Sequence, residues 1–196
     1  MKQVPVLLLI LTCTHSFLQD SLKTFKYSRN HITLTGMKIL GSWGIVNTAG
    51  GAVGWASSNG GSNKYFYQMN TLWGVVNTGI AVLGLTTAKK GLSKQLTTAE
   101  NATAQQKIEK TFLINGGLDF VYIGTGIALN SRGSSRSNDQ LKGYGTSLIM
   151  QGAFLLLFDS AMYSAQRTNG NKFRKFLDKN TVTFTGNSIG IVRSIY

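Results

Sequence analysis

The chain has a single cysteine, Cys13, and only two histidines, His15 and His31. Cys13 and His15 lie in or beside an N-terminal apolar run, so a chain that loses this run keeps no thiol and one imidazole. That speaks against disulfides, thiolate metal centres, a Cys–His nucleophile and bis-histidine haem ligation, and no metal site or cofactor is expected. Phosphate-cradling glycine loops and nucleophile elbows are missing as well. No catalytic residue is assigned. Acidic residues are few, 7 against 20 Lys and Arg, which leaves a net charge of +13. Such an excess permits nucleic-acid binding in principle, but the basic residues flank apolar segments and are not interleaved with exposed aromatics on a soluble domain, so nucleic acid is not favoured as a partner.

What the chain has in abundance is glycine, 23 residues, spread through long stretches almost free of charge. The windows 39–63 and 65–88 have only Lys64 at their junction, 111–131 has only Asp119, and 143–166 has only Asp159. A bilayer core about 30 Å thick is crossed by roughly 20 residues of helix, so each window is long enough. Glycine costs about 1 kcal/mol relative to alanine in a soluble helix but lets membrane helices approach closely. The fold class expected is an all-α membrane protein, a four-helix transmembrane bundle of two antiparallel hairpins. A glycine-rich soluble β-protein is the competing reading.

A phrase is written twice. Ser42-Trp43-Gly44-Ile45-Val46-Asn47-Thr48 returns as Leu72-Trp73-Gly74-Val75-Val76-Asn77-Thr78, each copy closing on a glycine, Gly54 and Gly84. The first hairpin is therefore an internal repeat. On a helix of 100° per residue, Leu40, Trp43, Gly44, Gly50, Gly51 and Gly54 fall within about 60° of Asn47, with Ile45, Ala49, Ala52 and Val53 opposite. Asn70, Trp73, Gly74, Ala81 and Gly84 gather likewise around Asn77. Trp43, Gly44, Gly50, Gly54, Trp73, Gly74 and Gly84 are the expected packing residues, Gly50 and Gly54 forming a G-x-x-x-G pair.

In chain order, residues 1–16 have the layout of a signal peptide with Thr14-His15-Ser16 at a cut, or of a short uncleaved anchor. Cys13 also leaves a lipoprotein reading open. Residues 17–35 form a polar leader, amphipathic at a membrane surface or simply solvated. The transmembrane domain, 36–166, holds spans at about 36–58, 66–87, 110–130 and 143–165. In the third, Asn115, Asp119, Tyr122 and Gly126 form one stripe. In the fourth, Ser147, Gln151, Leu155, Phe158 and Met162 share a face, with Asp159 at its edge, placed to reach the headgroup region in a structural role. A mid-span Asp costs about 2.5–3.5 kcal/mol unless paired or wetted, so Asp119 is expected inside, among Asn47, Asn77 and Tyr122. Asn47, Asn77, Asn115, Asp119, Tyr122 and Gln151 are the candidate interior polar cluster. Between the second and third spans, Thr86 to Lys110 is the longest connection, turning helical from Ala99 with Thr98 as a cap, and Ser131 to Lys142 is a polar loop. The tail, 167–196, is basic and then alternates as a β-hairpin would around Gly186-Asn187; disorder is the alternative.

The runs Tyr65-Phe66-Tyr67-Gln68-Met69-Asn70 and Asn115-Gly116-Gly117-Leu118-Asp119, with Gln151-Gly152 and Phe158-Asp159, resemble those of a family of small, functionally uncharacterised bacterial membrane proteins of the Bacteroidota. The resemblance covers most of residues 1–165. It implies a signal-like start, four spans and a basic tail, and no activity.

With four spans, and leaving out Lys2 and Lys38, one side of the membrane receives 14 Lys and Arg and the other receives 4, namely Lys64, Arg132, Arg136 and Lys142. The positive-inside rule puts the 14 in the cytoplasm, whereas a cleaved signal peptide puts them outside. An uncleaved anchor reconciles the two. The expected role is a structural or accessory one in a bacterial inner membrane, with the basic face on anionic lipid headgroups. A homo-oligomer or a membrane protein partner fits as well. A channel or carrier for protons or a small polar solute through an Asn/Asp-lined interior is the alternative, and an intramembrane enzyme ranks last because the spans offer only Asp119, Asp159 and tyrosines.

Overall fold

The computed structural model describes the backbone of residues 4–185 and 188–193 and the side chains of residues 20–180. The described residues form four helices, α1 (Val4–Ser57), α2 (Gly61–Ser93), α3 (Thr98–Ser135) and α4 (Asp139–Lys179), followed by strands β1 (Asn180–Thr185) and β2 (Ser188–Arg193). The strands pair antiparallel, with Val182 opposite Ile191 and Phe184 opposite Ile189. The turn expected at Gly186-Asn187, and the side chains of the expected signal segment, lie outside the described residues.

The helices are longer, and their connections shorter, than hydropathy suggests. The first turn is compressed to three residues because Gly60 and Gly61 take φ values of 109° and 68°, which L side chains rarely adopt. Between α2 and α3 only four residues remain. There Thr97, not Thr98, caps α3: its hydroxyl accepts from Glu100 N at 3.3 Å while its own N–H donates to Glu100 Oε2 at 2.8 Å, a reciprocal capping box. The expected polar loop at 131–142 shrinks to three residues, and Asn138 caps α4 by accepting from Leu141 N at 3.0 Å.

Helix α1 runs unbroken through both the expected leader and the expected first span. Three helices, α2, α3 and α4, are long and apolar enough to cross a membrane. Four were expected to qualify. In the described part of α1, Ser42, Asn47, Thr48 and repeated glycines dilute the apolar stretch below that mark. At 1.5 Å per residue, α2 to α4 measure roughly 50 to 60 Å, about twice an apolar bilayer core.

Helix α1 packs on α2 and α3 on α4, and α4 touches all three of the others. In the first hairpin the repeat sets the crossing. A Cβ at Gly44 would meet the Gly74 carbonyl at 2.8 Å, and one at Gly74 would meet the Gly44 carbonyl at 2.6 Å. The two copies thus press the same glycine against each other, and 41–54 and 71–84 follow the same order of buried, half-buried and exposed positions. The second hairpin crosses the same way, Gly126 and Gly145 each abutting the other's carbonyl. Close backbone approach of this kind needs glycine.

The outer surface divides in two. Large exposed apolar residues, including Ile45, Val53, Val75, Leu83, Phe120, Val121 and Leu157, lie between 39–55, 72–83, 113–127 and at 157, with Tyr27 as the one exception among described residues. Beyond that belt, toward the α2–α3 turn and the end of α4, the exposed residues are largely Lys, Arg and other polar types. The bundle thus has an apolar-coated half and a basic half.

Candidate functional site

Two polar groupings occupy the apolar-coated half. The first is organised by Gln151, which α4 presents inward from a buried stripe at 147, 151, 155 and 158. Its Nε2 donates to Asn47 Oδ1 at 2.8 Å and to Asn70 Oδ1 at 2.9 Å; its Oε1 accepts from Trp43 Nε1 at 2.9 Å and from Asn77 Nδ2 at 3.4 Å. Ser147 Oγ adds a donation to Asn70 Oδ1 at 2.6 Å, and Asn47 Nδ2 closes on its own helix at the Trp43 carbonyl. One amide therefore ties α1, α2 and α4 together with both donors and its acceptor engaged. Asn47, Asn77 and Gln151 are brought together here. Asn70 and Ser147 belong with them; Asn70, one heptad before Asn77 on the same stripe, was legible from that spacing.

Asn115, Asp119 and Tyr122 do not join this hub. They line a separate cavity of about 140 Å³ with Trp73, Asn77, Phe158 and Asp159. Asp119 is 2% exposed, and its Oδ2 is buried without a hydrogen-bond partner. Asp119 and Asp159 are buried neighbours in the cavity lining, close enough for their carboxyls to act on each other, and Asn115 lies beside them. Asp159, expected at a headgroup boundary, is instead buried beside Asp119, eight residues and so about two turns beyond Gln151 on the inner face of α4. The expected Asn47 contact is not made: its nitrogen donates to the Trp43 carbonyl and its oxygen accepts from Gln151.

Of the expected packing residues, Trp43 stacks on Phe154 with ring centroids 4.0 Å apart, and Trp73 meets Tyr122 edge to face at 5.2 Å. Gly54 lies against Tyr67 and Gly84 against Met37. Gly50 is different: nothing approaches its Cβ position within 4 Å. The α1–α2 seam runs along Gly44 and Gly51, seven apart, on one edge of the Asn47 arc, and Gly50 falls on the other edge.

The basic half holds a third grouping, one that hydropathy hid. Glu109 is buried, paired to Arg167 at 2.9 Å and gripped by both nitrogens of Arg174 at 3.1 and 3.3 Å. Gln105 Nε2 donates to it at 3.1 Å and to the Gln166 carbonyl at 2.7 Å, and Asn169 Nδ2 donates to Gln105 Oε1 at 3.0 Å. Burial opposes the Glu109 charge, but Arg167, Arg174 and Gln105 outweigh it and hold its carboxyl below the ordinary range. Gly170 makes the room, since a Cβ there would collide with Glu109 Oε1. Nearby, the buried Arg29 donates to the Asn101 carbonyl at 3.1 Å, and Lys26 Nζ caps the end of α2 by donating to the Leu92 and Lys94 carbonyls at 2.8 Å each. Residues 17–35 and 167–179, expected as a leader and a tail, are here parts of the bundle.

A family model described as a family of unknown function (DUF6992) matches residues 39–160, well over half of the chain, and the chain belongs to that family. No curated protein and no solved structure matches it.

Proposed function

We propose that this member of DUF6992 is an integral membrane protein of the bacterial inner membrane with a structural or accessory role. Its apolar-coated half sits in the bilayer with α1 completing a four-helix membrane bundle. The basic half stands out on one side, where it engages anionic lipid headgroups. The observation that carries this reading is the belt of exposed Ile, Val, Leu and Phe on α1, α2 and α3, joined by Leu157 on α4, which lies apart from the lysines and arginines around the α2–α3 turn and the end of α4. Apolar surface of that extent is costly in water and costs nothing against lipid tails. Beyond the belt, basic residues within a Debye length of an anionic surface contribute on the order of 1 kcal/mol each.

The test is lipid selectivity around the protein in bilayers of mixed zwitterionic and anionic lipid. A spin-labelled anionic lipid should be enriched at the boundary over its zwitterionic counterpart, and the enrichment should fall as salt rises. Equal partition of the two lipids would remove the headgroup part of the role.

A conduit for protons or a small polar solute is the second reading, favoured by the Asp119/Asp159 cavity. Against it, the amides that would line the rest of a path are bonded to one another around Gln151. Flux through reconstituted protein that disappears in Asp119→Asn would reverse this preference.

A further inference from the structure

The cavity at Asp119 has a shape and a charge that the structural role does not use. Helices α2 and α3 stand apart along most of their length, with Trp73 and Tyr122 reaching across, and α4 forms the floor of the gap through Leu155, Phe158 and Asp159. The mouth lies between Ile80 and Leu118, about half exposed at 49% and 46%, both in the apolar belt. The gap therefore opens sideways, onto the apolar surface.

At its floor sit two carboxyls in mutual reach. Two buried carboxyls side by side do not both ionise without a cation between them, so the empty pair carries at most one negative charge and gains from a cation that lets it ionise. Among the described residues no Lys, Arg or His lines the cavity to balance it, and Asp119 Oδ2 has no partner. An inorganic divalent cation is poorly served, because it takes six or more oxygen ligands and, among the described residues, no third His, Cys, Asp or Glu joins the pair. The walls are instead apolar and aromatic: Trp73, Phe112, Tyr122 and Phe158. Carboxylate at the floor with aromatic faces at the sides suits an ammonium head, which binds by charge-assisted hydrogen bonds and cation–π attraction.

We propose that the gap between α2 and α3 is a binding site for a monovalent organic cation with an apolar chain, its ammonium at Asp119 and Asp159 and its chain leaving between Ile80 and Leu118. The cavity of about 140 Å³ holds the head and its first methylenes. Entry from within the bilayer rests on the membrane reading above; the site itself does not.

Equilibrium dialysis of n-octylammonium against the full chain in detergent tests it. One saturable site per chain is expected, with n-octanol and a hundredfold excess of sodium both failing to compete. Asp119→Asn and Asp159→Asn should each weaken binding at least tenfold, and Ile80→Trp, which crowds the mouth and leaves the carboxyls alone, should weaken it severalfold. Competition by octanol equal to that of octylammonium, competition by sodium, or unchanged binding in either Asp variant with a wild-type melting curve would overturn the proposal. The octanol and sodium comparisons use the unaltered protein, so they decide even if a variant fails to fold. Asp-dependent binding by a protein that washes off vesicles in alkaline carbonate would keep the site and sink the membrane reading.

Discussion

In the half of the bundle coated by Ile45, Val75 and Phe120, the bonded buried polar groups around Gln151 are neutral amides, a hydroxyl and an indole. In the half coated by Lys and Arg, they include Glu109, Arg29 and the arginines that grip Glu109. Both halves bury polar side chains one to two turns apart along α4, so the difference lies in what surrounds them. An amide can be satisfied completely by other amides, as Gln151 is by Asn47, Asn70, Asn77 and Trp43, and then needs no water. A buried ion pair must offset a desolvation cost of several kcal/mol per ion. It does so more readily where Arg167 and Arg174 keep 50% and 34% of their side-chain surface in solvent. The Gln151 hub and the Glu109 network teach that polar interiors are graded by access to water, with the Asp119/Asp159 pair as the exception in the apolar-coated half.

The largest expected effect falls on the neutral hub. Gln151→Leu removes four interhelical hydrogen bonds at about 0.6 kcal/mol each in a membrane bundle and leaves their partners short, a loss of about 2–3 kcal/mol. Thermal unfolding in detergent should show it undiminished from pH 7 to pH 4 and at high salt. A marked salt dependence would mean that the hub is not the dry, neutral cluster described.

The charged network should behave in the opposite way. Glu109→Gln is expected to cost about 1–2 kcal/mol near neutrality, less than a fully buried pair because its arginines reach water. Glu109 has its folded-state carboxyl held below the unfolded value, so its contribution is complete above about pH 4.3 and is lost as pH falls through the depressed value. Wild type and variant should therefore converge in acid. A difference that persists at pH 2 would assign the effect to packing and not to charge.

The smallest effect sharpens the seam between α1 and α2. Gly50→Ala places a methyl in open space on a helix, so stability should be unchanged or rise by up to about 1 kcal/mol. A clear loss, measured by the same unfolding curves, would mean that a second chain covers this face.

How much of this was legible follows the same division. The repeated Trp-Gly and Asn positions gave the first hairpin and its facing sides, because there glycine and amide periodicity coincide with low charge. Asn101, Gln105, Glu109 and Phe112 on α3, and Gln166, Asn169 and Phe173 on α4, continue their helices' inward stripes without a break. They escaped because a helix with a polar buried face carries no hydropathy signal, and Arg167 reads as the end of a span. Asp159 was seen but assigned to the headgroup region, since spacing alone does not say that a neighbouring helix brings a second carboxyl beside it. Gly50 was misplaced because an arc of 60° on either side of Asn47 is wider than a seam set by residues seven apart.

The division of the surface is tested most directly by spin labels in vesicles, on a chain with Cys13→Ser and single cysteines at Ile45, Val75 or Leu157 in one set and at Lys94, Lys107 or Lys175 in the other. The first set should collide freely with oxygen and hardly at all with a water-soluble nickel chelate, and the second set should do the reverse. Equal access of the nickel chelate to both sets would contradict a bundle half embedded in lipid.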